Sequence, residues 1–149
     1  MYLNAKKTFT LLAGLMLALV FVGTSCKKDE EKTSKDYITA HEWKLTGKTY
    51  NNVSVLLECE KDDIITYHKD GEYHEDAGAT KCDATGLQQI TGNWSISAST
   101  TPETLTIIYD DATLSPYEAK ITQLDDDKLV LTKELGSSTN TEVRTYERR

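Results

Sequence analysis

The chain has 149 residues, a formal net charge of −7 and 28% charged residues. That acidity excludes a surface that grips nucleic acid or adsorbs to anionic lipid by charge alone. The length suits one domain with a modest core.

Lys6 and Lys7 stand before Phe9 to Val22, fourteen residues without a charge. Spanning a bilayer takes about 20 residues, so this run has the length of a signal-peptide core instead. Small residues Gly23, Thr24 and Ser25 lead into Cys26. The stretch Val22-Gly23-Thr24-Ser25-Cys26 resembles the lipobox of bacterial lipoproteins. That resemblance implies a signal peptide over residues 1–25, cleavage before Cys26, and a mature chain held to the membrane by acyl chains such as palmitate on Cys26. Thiolate nucleophilicity is why the position needs cysteine, and two or more acyl chains make the anchor stable. An ordinary secretory signal cut after Ser25 is the alternative. Loss of the two leader lysines takes the charge from −7 to −9. Three cysteines are an odd number for an exported chain. With Cys26 assigned to lipid, Cys59 and Cys82 remain to pair as a disulfide in an oxidising compartment. No closely spaced Cys/His set supports a zinc site.

Residues 26–35 are almost wholly charged or polar and read as a flexible tether. Lys27-Lys28-Asp29-Glu30-Glu31 also resembles the signal that sends Bacteroidota lipoproteins to the outer face of the outer membrane. A helical turn over residues 34–40 leads into the first strand. From there the apolar period is two. Trp43, Leu45, Gly47 and Thr49 alternate with Lys44, Thr46, Lys48 and Tyr50. Further runs carry Ile90 to Ala98, Leu105 to Tyr109, Tyr117 to Ile121, Leu129 with Leu131, and finally Val143 with Tyr146. Turn signals at Asn51-Asn52, Thr101-Pro102, Asp110-Asp111, Asp125 to Asp127 and Gly136-Ser137 separate them. A three-residue loop at Lys69-Asp70-Gly71 pairs His68 with Glu72 and puts Ile65, Tyr67 and Tyr73 on one face. The strands expected are 42–50, 63–68, 72–77, 90–98, 103–109, 116–123, 128–134 and 139–148, with 53–59 a loop or short helix. The fold class is all-β: an antiparallel, eight-stranded, up-and-down meander closing into a small barrel over residues 36–149.

Trp43-Lys44-Leu45, Cys59 with Asp62-Asp63, Asp70-Gly71-Glu72-Tyr73, Gly78 with Cys82-Asp83, Gly92-Asn93-Trp94 and Leu129 to Thr132 resemble the small lipocalin-like lipoproteins of Gram-negative bacteria. That resemblance implies an eight-stranded barrel in the cell envelope and leaves the ligand open.

Candidate chemistry is sparse. His68, Glu72 and His74 share a strand face, which suits a metal or a merely solvated surface. The paired and tripled aspartates suit calcium or, through their own backbone hydrogen bonds, turns. There is no Gly-x-Ser-x-Gly elbow and no phosphate loop, so no enzyme, metal or cofactor is expected. Trp43, Tyr67, Tyr73, Trp94 and Tyr109 either line a ligand pocket or fill the barrel. Trp43, Leu45, Tyr67, Tyr73, Trp94, Ile96, Leu105, Ile107, Ile121, Leu129 and Leu131 are expected inward. The function expected is an outer-membrane-tethered, surface-exposed, non-catalytic module that meets an envelope protein or glycan. The alternative is a carrier of a small apolar ligand, with a filled interior favouring the first.

Overall fold

A computed structural model describes residues 31–136 and 139–149. The leader 1–25 and Cys26 lie outside the described residues. Residues 31–149 form one compact unit. It begins with a short helix α1 (Ser34–Ile38), followed by β1 (Glu42–Tyr50), β2 (Val53–Ser54), a 3-10 turn (Glu58–Glu60), β3 (Ile64–Tyr67) and β4 (Glu72–Asp76). Then come β5 (Gln89–Ser97), β6 (Thr104–Tyr109), β7 (Tyr117–Leu124), β8 (Lys128–Glu134) and β9 (Thr141–Arg148). Each of the eight long strands lies within two residues of its sequence expectation. The stretch left as loop or short helix holds both the 3-10 turn and the two-residue β2. β2 forms because Asn51 and Asn52 both take positive φ, 48° and 65°, the tight-hairpin conformation that matches strand twist.

β2 pairs only β1, β3 pairs β1 in its place, and from β3 to β9 each strand pairs the next antiparallel; the β1–β9 pairing closes an eight-stranded barrel with β2 appended. Closure removes the open edges that β-sheets otherwise expose. The unit therefore closes its own ladder around its own core, the two requirements for folding alone.

The hairpin between β3 and β4 has the register the tyrosines demand. Tyr67 faces Tyr73, the His68 N–H donates to the Glu72 carbonyl, and Gly71 takes φ 101°, which only glycine adopts easily.

One end of the barrel, the base, is plugged. Thr33 caps α1 by accepting from the Asp36 N–H at 3.2 Å, while the Asp36 carboxylate accepts from the Thr33 N–H at 2.8 Å. This capping box draws Ser34 and Lys35 out of the stretch read as tether. Ile38 then enters the core, and the Trp43 indole N–H donates to its carbonyl at 2.8 Å. At the same end Lys32 pairs with Asp126. Trp43, Leu45, Tyr67, Tyr73, Trp94, Leu105, Ile107, Ile121, Leu129 and Leu131 are buried as expected, and Ile96 packs partly against them. Ile38, Ile65, Tyr117, Ala119 and Tyr146 complete the core.

Strict alternation fails at two bulges. Register slips between Leu45 and Gly47 and between Ile121 and Gln123. An extra residue inverts every face beyond it. Gly47 and Thr49 therefore face outward, opposite Thr145 and Val143, while Lys48 and Tyr50 turn to the inside, opposite Arg144 and Glu142. Val143 and Tyr146, grouped in the sequence pattern, lie on opposite faces.

Candidate functional site

The two halves of the barrel differ in what they enclose. Below the bulges, toward the base, the inside is aromatic and aliphatic. Above them, at the end we call the mouth, inward positions carry Lys48, Glu75, Tyr109, Tyr117, Lys133, Glu142 and Arg144. The 3-10 turn adds Glu60, and the entry to β3 adds Asp63.

These side chains are organised in pairs. Lys48 Nζ meets Glu60 Oε1 at 2.6 Å, with side chains only 22% and 15% exposed. Arg144 Nε meets Glu142 Oε1 at 2.7 Å, and its guanidinium interacts electrostatically with the hydroxyls of Tyr146 and Tyr117. The Tyr73 hydroxyl donates to Glu75 Oε2 at 2.6 Å. Arg144 and Lys133 both lie over the Tyr117 ring, at 4.6 and 4.8 Å, the geometry of cation–π attraction. Gly92 keeps space for these rings. A Cβ there would run into the Ile108 carbonyl, and across the bare backbone Tyr73 and Tyr109 meet edge to face at 5.9 Å.

Burial sets the charge states. Desolvation pushes the hydroxyls of Tyr67 and Tyr73 well up, that of Tyr117 to about 12, and that of Tyr146 up as well. All four stay neutral. Burial alone would raise Glu60, but the Leu57 N–H and the Lys48 ammonium outweigh it and hold its carboxyl down. Asp63 has no such help. Desolvation, then the neighbouring Glu75, Glu60 and Asp62, lift it to about 6.

Among the described residues three buried polar side-chain atoms lack a partner: the Tyr67 hydroxyl, the Tyr117 hydroxyl and Asp62 Oδ1. Two of the three belong to the mouth. Tyr67 is 1% exposed, and its hydroxyl interacts electrostatically with Tyr146, Tyr117, Glu75 and Tyr109.

Of the aromatics singled out from sequence, Trp43 is base core and does not reach the mouth. Trp94 is also core, its indole N–H donating to the His68 carbonyl at 2.9 Å. Tyr67, Tyr73 and Tyr109 do converge on the mouth. Lys48, Glu75, Arg144 and Glu142 are absent from the sequence expectation because each breaks the apolar pattern, and Lys48 also depends on the β1 bulge. The signal in the sequence was Tyr146, two positions from Arg144 and four from Glu142 on one strand.

The other candidates separate cleanly. His68 and His74 approach to 4.9 Å between rings on the outer face, with Glu72 3.7 Å from His74. Among the described residues no group of three or more His, Cys, Asp or Glu side chains is placed to hold a metal. The turn aspartates hold backbone: Asp111 accepts from the Thr113 N–H, and Asp125 from the N–H groups of Asp127 and Lys128. An open groove of about 740 Å³ lies on the outer wall between Lys44, Thr66, His74, Gln88 and Arg149. Its carboxylates fasten the 77–88 loop, Asp62 taking the N–H groups of Ala79 and Thr80 and Asp76 that of Gly78. Cys59 and Cys82 form the disulfide that ties this loop down, with Cα atoms 5.1 Å apart.

The sequence profile of the lipocalin-like domain matches residues 39–131. The chain belongs to the lipocalin-like domain family. A crystal structure of a lipocalin-like protein from Bacteroides uniformis superposes with a TM-score of 0.53 at 16% identity, covering 74% of this chain and 98% of that one. At that identity the likeness is one of fold. A search among curated proteins gives no match.

Proposed function

We propose that this lipocalin-like chain is a non-catalytic binding module of the bacterial envelope whose ligand site is the polar mouth of the barrel. The observation that carries the reading is the pair of buried tyrosine hydroxyls without partners, Tyr67 and Tyr117, beside otherwise matched charges. Burying a hydroxyl unmatched is unfavourable by about 1–3 kcal/mol, and such a deficit is removed by a ligand that bonds it. Binding rather than turnover is supported because Glu60, Glu75 and Glu142 are each committed to a cation or hydroxyl. The base is solid, so the apolar carrier reading loses its chamber.

The envelope tether rests on the lipobox resemblance at Cys26. The described chain enters at the plugged base, where Lys32 meets Asp126, so a tether joined there leaves the mouth free. Mass spectrometry of the membrane fraction should find an acylated N-terminus at Cys26, and a soluble product with unmodified Cys26 would sink the anchor. For the site, ring-labelled tyrosine NMR of residues 31–149 is titrated with defined solutes: methyl glucoside, glycine, phosphocholine and short amphiphiles. At least one should shift the Tyr67 and Tyr117 signals and bind more weakly after Tyr117→Phe. If none moves either ring, the binding reading fails.

A further inference from the structure

The outer wall of the barrel carries a built recess. The solvent faces of β1, β3 and β4 form its floor in two rows across the strands. One row is Lys44, Ile64 and Asp76, continuing to Gln89 on β5; the other is Glu42, Thr66 and His74. Strands lie about 4.8 Å apart, so the longer row runs roughly 14 Å, and the two rows are about 7 Å apart. The 77–88 loop forms a wall beside this floor, and the groove between them holds about 740 Å³. Three attachments fix the wall. Cys59–Cys82 ties it to the 3-10 turn, the Asp62 carboxylate accepts from the N–H groups of Ala79 and Thr80, and Gln88 anchors its far end. Gln88 donates to Asp76 Oδ1 at 2.8 Å and to the Gly78 carbonyl at 2.7 Å. Its amide oxygen is thereby held in place and accepts from nothing among the described residues. Gly78, at φ 64°, lets the loop press on Asp62 where a Cβ would overlap the carboxylate. A wall already fixed leaves little ordering for a ligand to impose.

We propose that this groove binds a neutral saccharide of disaccharide length or longer, with Lys44, Thr66, His74 and Gln88 as its hydrogen-bonding residues. The site is separate from the barrel mouth and does not depend on it. The unused groups select the ligand. Lys44 Nζ has no partner among the described residues and can only donate, the Gln88 oxygen can only accept, and Thr66 and His74 can do either. A sugar hydroxyl both donates and accepts, so a ring bearing several of them meets all four. Charge sets the other classes aside. Glu42 is paired with Arg149 at 3.1 Å, and Asp62 holds the loop. Hydrogen bonds from Gln88, the Gly78 N–H and Gln89 keep the Asp76 carboxyl below its usual range. An amine therefore finds each carboxylate already engaged, and an acid finds the single unpaired ammonium of Lys44 against the fixed negative charges of Asp62 and Asp76. No Trp, Tyr or Phe lines the groove, so a hydrocarbon or flat aromatic ligand has nothing to cover. β1, β3 and β4 are each paired on both sides, so no open strand edge accepts an extended peptide.

The test titrates residues 31–149 with maltose, cellobiose and N,N′-diacetylchitobiose by amide and imidazole NMR, with glucose as the short comparator. At least one disaccharide should bind with a Kd of roughly 1–10 mM, the strength of a few ordinary hydrogen bonds. It should shift the amides of Ala79 and Thr80 and the ring of His74, and bind about fivefold more tightly than glucose. Lys44→Ala and Gln88→Ala, both at exposed positions, should each weaken it by about fivefold. Lys44→Ala is the deciding variant, because Lys44 makes no contact that holds the loop. Tyr117→Phe, at the mouth, should leave the affinity unchanged. The uronic-acid and 6-amino-6-deoxy forms of the binding sugar should bind more weakly than the neutral one. Absence of binding by all three disaccharides well above that Kd overturns the proposal. So does binding that leaves Ala79, Thr80 and His74 unmoved, or that survives Lys44→Ala at full strength. Equal or tighter binding of either charged form overturns the neutral ligand. The mouth reading is judged separately, from the rings of Tyr67 and Tyr117, and none of these results decides it.

Discussion

Replacing Tyr67 by Phe tests the central physical argument. The ring of Tyr67 sits 5.5 Å from Tyr73 and 5.4 Å from Trp94, and Phe keeps both contacts and nearly the same volume. Only the hydroxyl goes, and it has no partner. A buried hydroxyl left unmatched is unfavourable by about 1–3 kcal/mol. Its removal should therefore stabilise the protein by that amount, a rise of roughly 4–12 °C in Tm for a unit of this size. Tyr73→Phe is the internal control. Its hydroxyl donates to Glu75 at 2.6 Å, so the same chemical change should destabilise by about 1.5–3 kcal/mol. Calorimetric melts of the two variants beside the parent decide the matter. A stabilised Tyr67→Phe that also binds the mouth ligand more weakly has the signature of a site that sacrifices stability for function. An unchanged or lowered Tm for Tyr67→Phe refutes the reasoning, because the hydroxyl would then be satisfied without ligand.

Three further outcomes follow from the same geometry. Cys59 and Cys82 are separated by 23 positions, so the chain-entropy argument gives about 3.5 kcal/mol, and Cys59→Ala/Cys82→Ala should lose a comparable amount in urea unfolding; an unmoved midpoint contradicts it. Asp63 has its folded-state pKa raised to about 6 from 3.8, so the folded state binds the extra proton and ionisation of Asp63 weakens folding above pH 6 but not below about 4. Asp63→Asn should melt higher than the parent at pH 7.5 and equal to it at pH 4, and a gap that does not vary with pH removes the argument. Trp43→Ala, at a site with no exposure and a hydrogen bond to Ile38, should lose about 3–5 kcal/mol, whereas Trp43→Phe, which loses the hydrogen bond but keeps a ring, should lose less; equal losses would mean that the packing of the ring Phe retains contributes nothing.

The scaffold was legible because its signals are local. Asp70-Gly71 sets a turn, the tyrosines set its register, and alternation on β5 to β8 sets the core. Cys59 and Cys82 were found by arithmetic once Cys26 had another use. What escaped was the mouth. Sequence alternation assumes an unbroken period of two, and the bulge between Leu45 and Gly47 shifts the phase without any glycine or proline at the slipped residue, Thr46. The period also identifies apolar faces only, so Glu142 and Arg144 on the same face as Tyr146 look like surface. The residue that would have betrayed them is Tyr146 itself: a buried tyrosine two positions from an arginine on one strand requires the arginine to share its side.

The bulge also explains why the base and the mouth coexist in one small barrel. Eight strands enclose little space, and here Ile38, Trp43 and Trp94 already occupy its lower half. Had alternation continued past Leu45, Gly47 and Thr49 would face in and Lys48 out. Lys48 could not then reach Glu60, and Arg144 would face a small neutral residue in place of a cation. Inverting the phase brings Lys48 beside Arg144, two like charges held together only because Glu60 and Glu142 flank them. Such an arrangement does not maximise stability, since each ion gives up water for a partner of equal and opposite charge. It does leave an ordered set of donors and acceptors facing an entrance. One extra residue in β1 therefore aims Lys48 inward, opposite Arg144, and with it sets the charged lining of the mouth.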